Sequence, residues 1–253
     1  MPYVTMRGEK YHYGAGLPSP GNPKQAIIFV HGAGGSHRHW SEQVAELGKK
    51  YLVIAPDLPG HGLSGGAPLD SISAYSAFIR ELAEILLGIP FYLAGHSMGG
   101  AVALDYVLNN PGRLAGLILI GTGSRLRVKQ ELLETFKNGN IPEGMENFLY
   151  SKDTPGNMLD AAARELKSVA PEVFYKDFLA CDNFNVDTLL DDINVPTLVV
   201  SSAQDVMTPV KYGRRLADGI RKAEFKIIDG AGHMMMLEQP AGLNKAIAEF
   251  INT

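Results

Sequence analysis

Gly95-His96-Ser97-Met98-Gly99-Gly100 sets a serine between two glycines, after the apolar run Pro90–Ala94 and before a helix-like stretch that starts at Met98. G-x-S-x-G between a strand and a helix is the pattern of a nucleophile elbow. The requirement is steric. A serine held on so tight a turn adopts a strained backbone, and neighbouring chain can pass only where side chains are missing, which Gly95 and Gly99 provide. The turn lifts the Ser97 hydroxyl above the sheet, and the helix behind it aims amide N–H groups at developing negative charge.

A serine hydroxyl is a poor nucleophile until a base takes its proton. Asp229-Gly230-Ala231-Gly232-His233-Met234 offers one just after the last expected strand, where small residues let the loop approach the sheet's upper edge. His233 is therefore the expected base. A third group should orient the imidazole and stabilise its protonated form. Asp205, directly after the apolar run Thr197–Ser201, is the preferred acid; Asp229 competes, but lies on the same loop as His233 and is badly placed for the far ring nitrogen. Acyl transfer also needs donors for a tetrahedral oxyanion. Met98 N–H is one. The Gly-rich stretch Val30-His31-Gly32-Ala33-Gly34-Gly35 supplies the other, with Ala33 preferred and Gly34 as the fallback and a substrate-binding position. No Gly-Lys-[Ser/Thr] follows and the G-x-G-x-x-G spacing is absent, so this is not read as a nucleotide loop.

These residues must be held by a scaffold. Short apolar runs alternate with longer amphipathic stretches, the signature of βαβ units. Strands are predicted at Ala26–Val30, Tyr51–Ala55, Pro90–Ala94, Leu114–Ile120, Thr197–Ser201 and Phe225–Ile228, with an edge hairpin over Thr5–Tyr13. Their near-continuous apolar character suggests cover on both faces, hence an α/β fold with a mostly parallel sheet flanked by helices. Helices are predicted at Trp40–Lys49, Ser73–Leu87, Met98–Asn109, Lys211–Gly219 and Ala241–Ile251. From 122 to 191 the chain offers no buried strand, only helix-like segments at Lys129–Lys137, Glu143–Leu149, Leu159–Val169 and Glu172–Leu179. So long a strandless interval reads as a helical lid inserted into a core made of 1–121 and 192–253.

Composition narrows the class. The 253 residues carry a net charge of −4, with 45% apolar and 20% charged residues, which argues against intrinsic disorder and gives no electrostatic reason to expect nucleic acid. The lone cysteine, Cys181, rules out an internal disulfide framework and is read as a small inert residue. Met1 to Arg7 lacks the start of a secretory signal, and no run approaches the ~20 apolar residues of a membrane-spanning helix. The expectation is a soluble cytoplasmic protein.

Other chemistry-bearing residues have plainer readings. His31, His61 and His96 are expected to hold backbone loops rather than a metal, and Asp57 to be a turn residue. Met234 is assigned to a substrate pocket next to His233. Arg125, Arg127 and Lys129, interspersed with Glu131, Glu134 and Glu143, read as a solvated surface.

Besides the elbow, four ordered motifs carry a family resemblance: His31-Gly32 after a strand; Asp57-Leu58-Pro59-Gly60-His61-Gly62-Leu63-Ser64; Val195-Pro196-Thr197 through Asp205; and Gly232-His233 followed by Glu238-Gln239-Pro240. The chain resembles the α/β-hydrolase superfamily, in its esterase/lipase-like branch. The resemblance implies a Ser-Asp-His triad and a lid between the sixth and seventh strands. The favoured reading is a cofactor-free, metal-free carboxylesterase acting on small-molecule esters, with small or medium acyl or aryl groups suited by a partly apolar cleft. Phe136, Met145, Phe148, Phe174, Phe178 and Phe184 are expected to make its cleft partly apolar. An enol-lactonase or acyl-homoserine lactonase, a monoacylglycerol lipase, and a non-catalytic small-molecule receptor are alternatives; the natural substrate and the oligomeric state stay open.

Overall fold

A computed structural model describes residues 2–18 and 23–253, so Met1 lies outside the described residues. The strands are β1 (Tyr3–Met6), β2 (Glu9–Gly16), β3 (Ala26–Val30), β4 (Leu52–Pro56), β5 (Phe91–His96), β6 (Leu114–Ile120), β7 (Thr197–Ser202) and β8 (Ala223–Ile228). They form one sheet in the order β1-β2-β4-β3-β5-β6-β7-β8. Pairing is parallel from β4 to β8 and antiparallel for β1–β2 and β2–β4, as the sequence predicts for a mostly parallel sheet with an edge hairpin. That hairpin turns at Arg7 and Gly8, both at positive φ (52° and 84°), the geometry that suits the twist of its strands.

The helices are α1 (Ser41–Leu47), α2 (Ile72–Leu86), α3 (Met98–Asn109), α4 (Gln130–Lys137), α5 (Glu146–Leu149), α6 (Gly156–Ser168), α7 (Pro171–Asp182), α8 (Val210–Gly219), α9 (Met235–Glu238) and α10 (Pro240–Ile251). All five residues of β3 are buried because both faces are covered. Ile28 and Val30 join a core layer with Tyr75, Ile79 and Leu82 of α2 and Val102 of α3, while Ile27 and Phe29 join another with Trp40 and with Leu243 and Ile247 of α10. The period-two alternation of a strand thus feeds two helical layers. Burial of each large apolar side chain contributes about 1.5–3 kcal/mol, so truncating Leu82 or Phe29 would cost more than any surface ion pair supplies.

Between β6 and β7 lie α4 to α7, where the sequence predicts a strandless interval. Predicted Glu143–Leu149 is shorter than expected: Gly144 has φ +70°, which no helix interior accepts, and the helix starts at Glu146. Leu133, Phe136, Met145, Phe174 and Phe178 form a separate apolar cluster, with the Phe136 and Phe178 rings stacked at 5.3 Å. Leu126, Cys181, Phe184 and Val186 run down into the main core. Among the described residues, no helix is long and apolar enough to cross a membrane.

Candidate active site

β3 is flanked by β4 on one side and β5 on the other, so the loops leaving β3 and β5 diverge. In an open α/β sheet that divergence opens a crevice at the carboxyl ends of the strands. The Gly32–Gly35 turn, Ser97, Asp205 and His233 follow β3, β5, β7 and β8 respectively, so the topology gathers them at one edge.

Ser97 has φ 52° and ψ −117°, a strained conformation for a residue with a Cβ. Its surroundings enforce it: Ser97 N–H donates to Ile120 O (3.0 Å), and Ser97 O accepts from Gly100 N–H (2.9 Å) and Thr122 Oγ1 (2.8 Å). A Cβ on Gly95 would sit 2.6 Å from Gly100 N, and one on Gly99 2.6 Å from His31 O, so neither position admits alanine without backbone movement. The Ser97 side chain makes no capping bond to α3, which leaves the hydroxyl available.

His233 is buried, and its Nδ1 lies 2.8 Å from Asp205 Oδ2. Asp205 also accepts from Met207 N–H and Thr208 N–H (both 2.8 Å, Oδ1) and from Thr208 Oγ1 (2.7 Å, Oδ2). Burial pushes its carboxyl up, but the His233 ring and the Thr208 donors more than reverse this, holding it well below the usual carboxylate range. Asp205 therefore both orders its own turn and faces the imidazole. Asp229 is exposed and off the site. Ser97 and His233 line the same cavity; among the described residues no Ser97–His233 hydrogen bond forms, and such bonds commonly tighten only with substrate in place.

His96 braces the base from the other side. Its Nε2 donates to His233 O (3.0 Å), and burial, then the neighbouring His233, holds it well below the ordinary imidazole value. His31 accepts from Leu58 N–H at Nε2 (3.1 Å) and so donates from Nδ1 to Gly32 O (2.9 Å); burial and His61 push it down to about 3. Both histidines hold loops, as the sequence suggests. Asp57 accepts from His37 N–H and Leu63 N–H in its turn (2.6 and 2.9 Å). Among the described residues, His12, His37 and Asp57 are the one trio close enough to share a cation, but hydrogen bonds already occupy the carboxylate.

Neither Ala33 N–H nor Met98 N–H has a protein acceptor among the described residues; Ala33 lines the cavity, and Met98 directly follows Ser97, which does. Gly34 lines the cavity, but its N–H is taken by Asp177 Oδ2 at 2.8 Å, so the fallback donor is not available. Met234 lines the cavity as expected. The cavity measures about 60 Å³, and its apolar wall includes Met145, Leu149, Leu166 and Phe178. The other expected aromatics are elsewhere: Phe148 is 59% exposed, Phe184 is in the main core, and Phe136 and Phe174 are consumed by the cluster between α4 and α7.

Three residues escaped the sequence reading. Glu165 of α6 and His39 line the cavity and meet at 3.4 Å, and the His39 hydrogen bond keeps Glu165 below its ordinary value despite burial. Asp177 interrupts the apolar face formed by Phe174, Phe178 and Cys181, at helical spacings of three and four; that charge on a buried stripe was the available signal.

Comparison with known proteins agrees with this fold. The sequence model of the alpha/beta hydrolase family matches residues 27–246. A protein of Rhizobium rhizogenes named "Putative carbamate hydrolase RutD" is 30% identical over 242 residues, covering 90% of this chain and 92% of that one. A thermophilic esterase superposes with a TM-score of 0.86 at 30% identity, covering 99% of this chain and 96% of the esterase. A thermophilic esterase from Thermogutta terrifontis, solved with malate bound, has a TM-score of 0.88 at 26% identity, covering 100% and 98%.

Proposed function

The chain belongs to the alpha/beta hydrolase family, and we propose that it is a serine hydrolase of carboxylic esters with small or medium acyl or aryl groups, working through an acyl-enzyme. The observation that carries this reading is the 2.8 Å contact between His233 Nδ1 and Asp205 Oδ2, at the edge of a cavity whose wall includes Ser97 on its strained turn. His233 Nε2 takes the Ser97 proton as Oγ attacks the acyl carbon. Ionised Asp205 stabilises the imidazolium so formed. Met98 and Ala33 N–H groups hold the oxyanion, and the N-terminal end of α3 adds its dipole. His233 then protonates the leaving alcohol, and water, activated by the same ring, frees the acid. Residues 1–121 and 192–253 serve as the core, and 122–191 as a lid that supplies the apolar cavity wall.

A carbamate is the second reading. RutD's name suggests it, and Glu165 favours it, because an ionised carboxylate on the cavity wall accepts N–H groups. Lactones need the same triad without a separate leaving alcohol. Ranking esters, carbamates, lactones and monoacylglycerols by kcat/KM, with Ser97→Ala as the control, tests the proposal: short-chain esters should lead, and wild-type turnover by S97A would overturn it.

A further inference from the structure

Asp177 is fully buried on α7, and its carboxylate partners all come from outside its own helix. Oδ2 accepts from Gly34 N–H and from His61 Nε2, both at 2.8 Å, and Oδ1 accepts from the Tyr75 hydroxyl at 2.6 Å. One carboxylate thus joins the segment between β6 and β7 to the turn after β3, the loop after β4, and α2. A buried carboxylate needs a countercharge as well as hydrogen bonds, and His61 supplies it. Its Nδ1 faces Pro59 O at 3.0 Å and its Nε2 faces Asp177; both are acceptors, so both ring nitrogens must carry hydrogen. In keeping with this, burial would lower the His61 pKa, but the charge and hydrogen bond of Asp177 leave it raised.

The Gly34 contact bears on the oxyanion site. Gly35 N–H donates to Gly32 O at 3.1 Å, closing a four-residue turn with Ala33 and Gly34 at its centre. Gly34 has φ +64°, the value a type II turn requires at its third residue. Type I and type II turns differ by a flip of the central peptide, and the N–H of that peptide is the one Asp177 holds. One helical turn before Asp177, the Phe174 ring occupies the place where a Cβ of Gly34 would fall. Two side chains on one face of α7 therefore clamp the turn: one fixes its peptide, the other its distance from the helix.

We propose that Asp177 is a positioning residue that locks the Gly32–Gly35 turn, so that Ala33 N–H is aimed at the acyl oxygen while α7 is seated. This rests on the reading of Ala33 and Met98 as oxyanion donors. Catalytic alignment then depends on a residue that touches neither the substrate nor the triad.

Asp177→Asn keeps the shape and an acceptor but removes the charge paired with His61. A donor displaced by about 1 Å costs up to ~100-fold, so kcat for p-nitrophenyl acetate and the rate of Ser97 labelling by a fluorophosphonate should both fall about 10- to 100-fold. KM should stay within about 2-fold, since ground-state binding does not use the oxyanion donors. A boronic acid, which mimics the tetrahedral oxyanion, should lose at least about 10-fold in affinity, whereas binding of the product alcohol should not change. Tyr75→Phe, which removes one donor and leaves the Gly34 contact, serves if D177N does not fold; it should show the same pattern at about 3-fold. D177N, or Y75F in its place, with wild-type kcat, labelling rate and boronate affinity overturns the inference while wild-type labelling stands. Failure of the wild-type protein to label at Ser97 overturns the underlying reading and this inference with it.

Discussion

Thr208 Oγ1 donates to Asp205 Oδ2 at 2.7 Å, and the same oxygen faces His233 Nδ1 at 2.8 Å. Two donors on one oxygen leave the carboxylate little freedom to rotate away from the ring. Thr208→Val removes the hydroxyl and keeps the shape. The expected outcome is a several-fold fall in kcat with KM nearly unchanged, and a loss of about 1 kcal/mol in unfolding free energy from urea titration. Asp205→Asn should be far worse, with kcat reduced by about 10³–10⁴. A T208V enzyme with wild-type kcat would show that the ring needs no such bracing.

The elbow tolerates no side chain at Gly99, where a Cβ would crowd both Val30 and His31 carbonyls. Backbone on both sides of the clash cannot rotate away as a side-chain tip would. Gly99→Ala should destabilise by about 3 kcal/mol or more, seen as a drop in Tm and in soluble yield. Gly88→Ala, where nothing lies within 4 Å, is the matched control and should be close to neutral.

Acid should weaken the fold through His31. Its folded-state value of about 3 lies below the ~6.5 of an exposed imidazole, so the unfolded chain binds a proton that the folded one refuses. The stability is complete above the unfolded value and is lost as pH falls from there toward 3, at up to about 1.4 kcal/mol per pH unit. His61 and Asp57 face the ring and act in opposite senses, the first lowering and the second raising its affinity for protons. Urea midpoints measured from pH 7 to pH 4 should fall for the wild type. His31→Gln should start lower, because it disturbs the Leu58 and Gly32 bonds, yet fall less steeply. An unchanged slope in H31Q would assign the acid sensitivity elsewhere.

Glu165 puts negative charge on the wall of a small cavity. Glu165→Gln should raise kcat/KM for esters with an anionic acyl group by about 3- to 10-fold, as expected for removing one partly screened charge at close range, and leave neutral acetate esters alone. A competition assay between the two ester types would read the ratio directly, and an unaltered ratio would place the carboxylate outside the substrate's path.

The sequence carried the parts of the molecule that depend on local pattern. Ala26–Val30 and Leu114–Ile120 are strands at the residues predicted, because continuous apolar runs have one stable place in a doubly covered sheet. Met98 begins α3 as the elbow motif requires. What escaped depends on contacts far apart in the chain. Phe148 and Phe178 look alike in sequence, but one is exposed and the other lines the cavity, and only the packing of α5 against α6 and of α4 against α7 separates them. Nothing in the local sequence separates the Gly34 amide from that of Ala33; Asp177, 143 positions away, holds the former. Glu165 sits on an ordinary amphipathic helix, and nothing in its neighbourhood announces that its open side faces Ser97's cavity.

The most direct measurement is intact mass and peptide mapping after fluorophosphonate treatment, run alongside turnover of p-nitrophenyl butyrate. A single adduct on the peptide containing Ser97, absent from Ser97→Ala and much slower to form in His233→Ala, with kcat of S97A down by about 10⁴ or more, is the expected result. An adduct at another residue, or turnover by S97A at the wild-type rate, would contradict the assignment of Ser97 as the nucleophile.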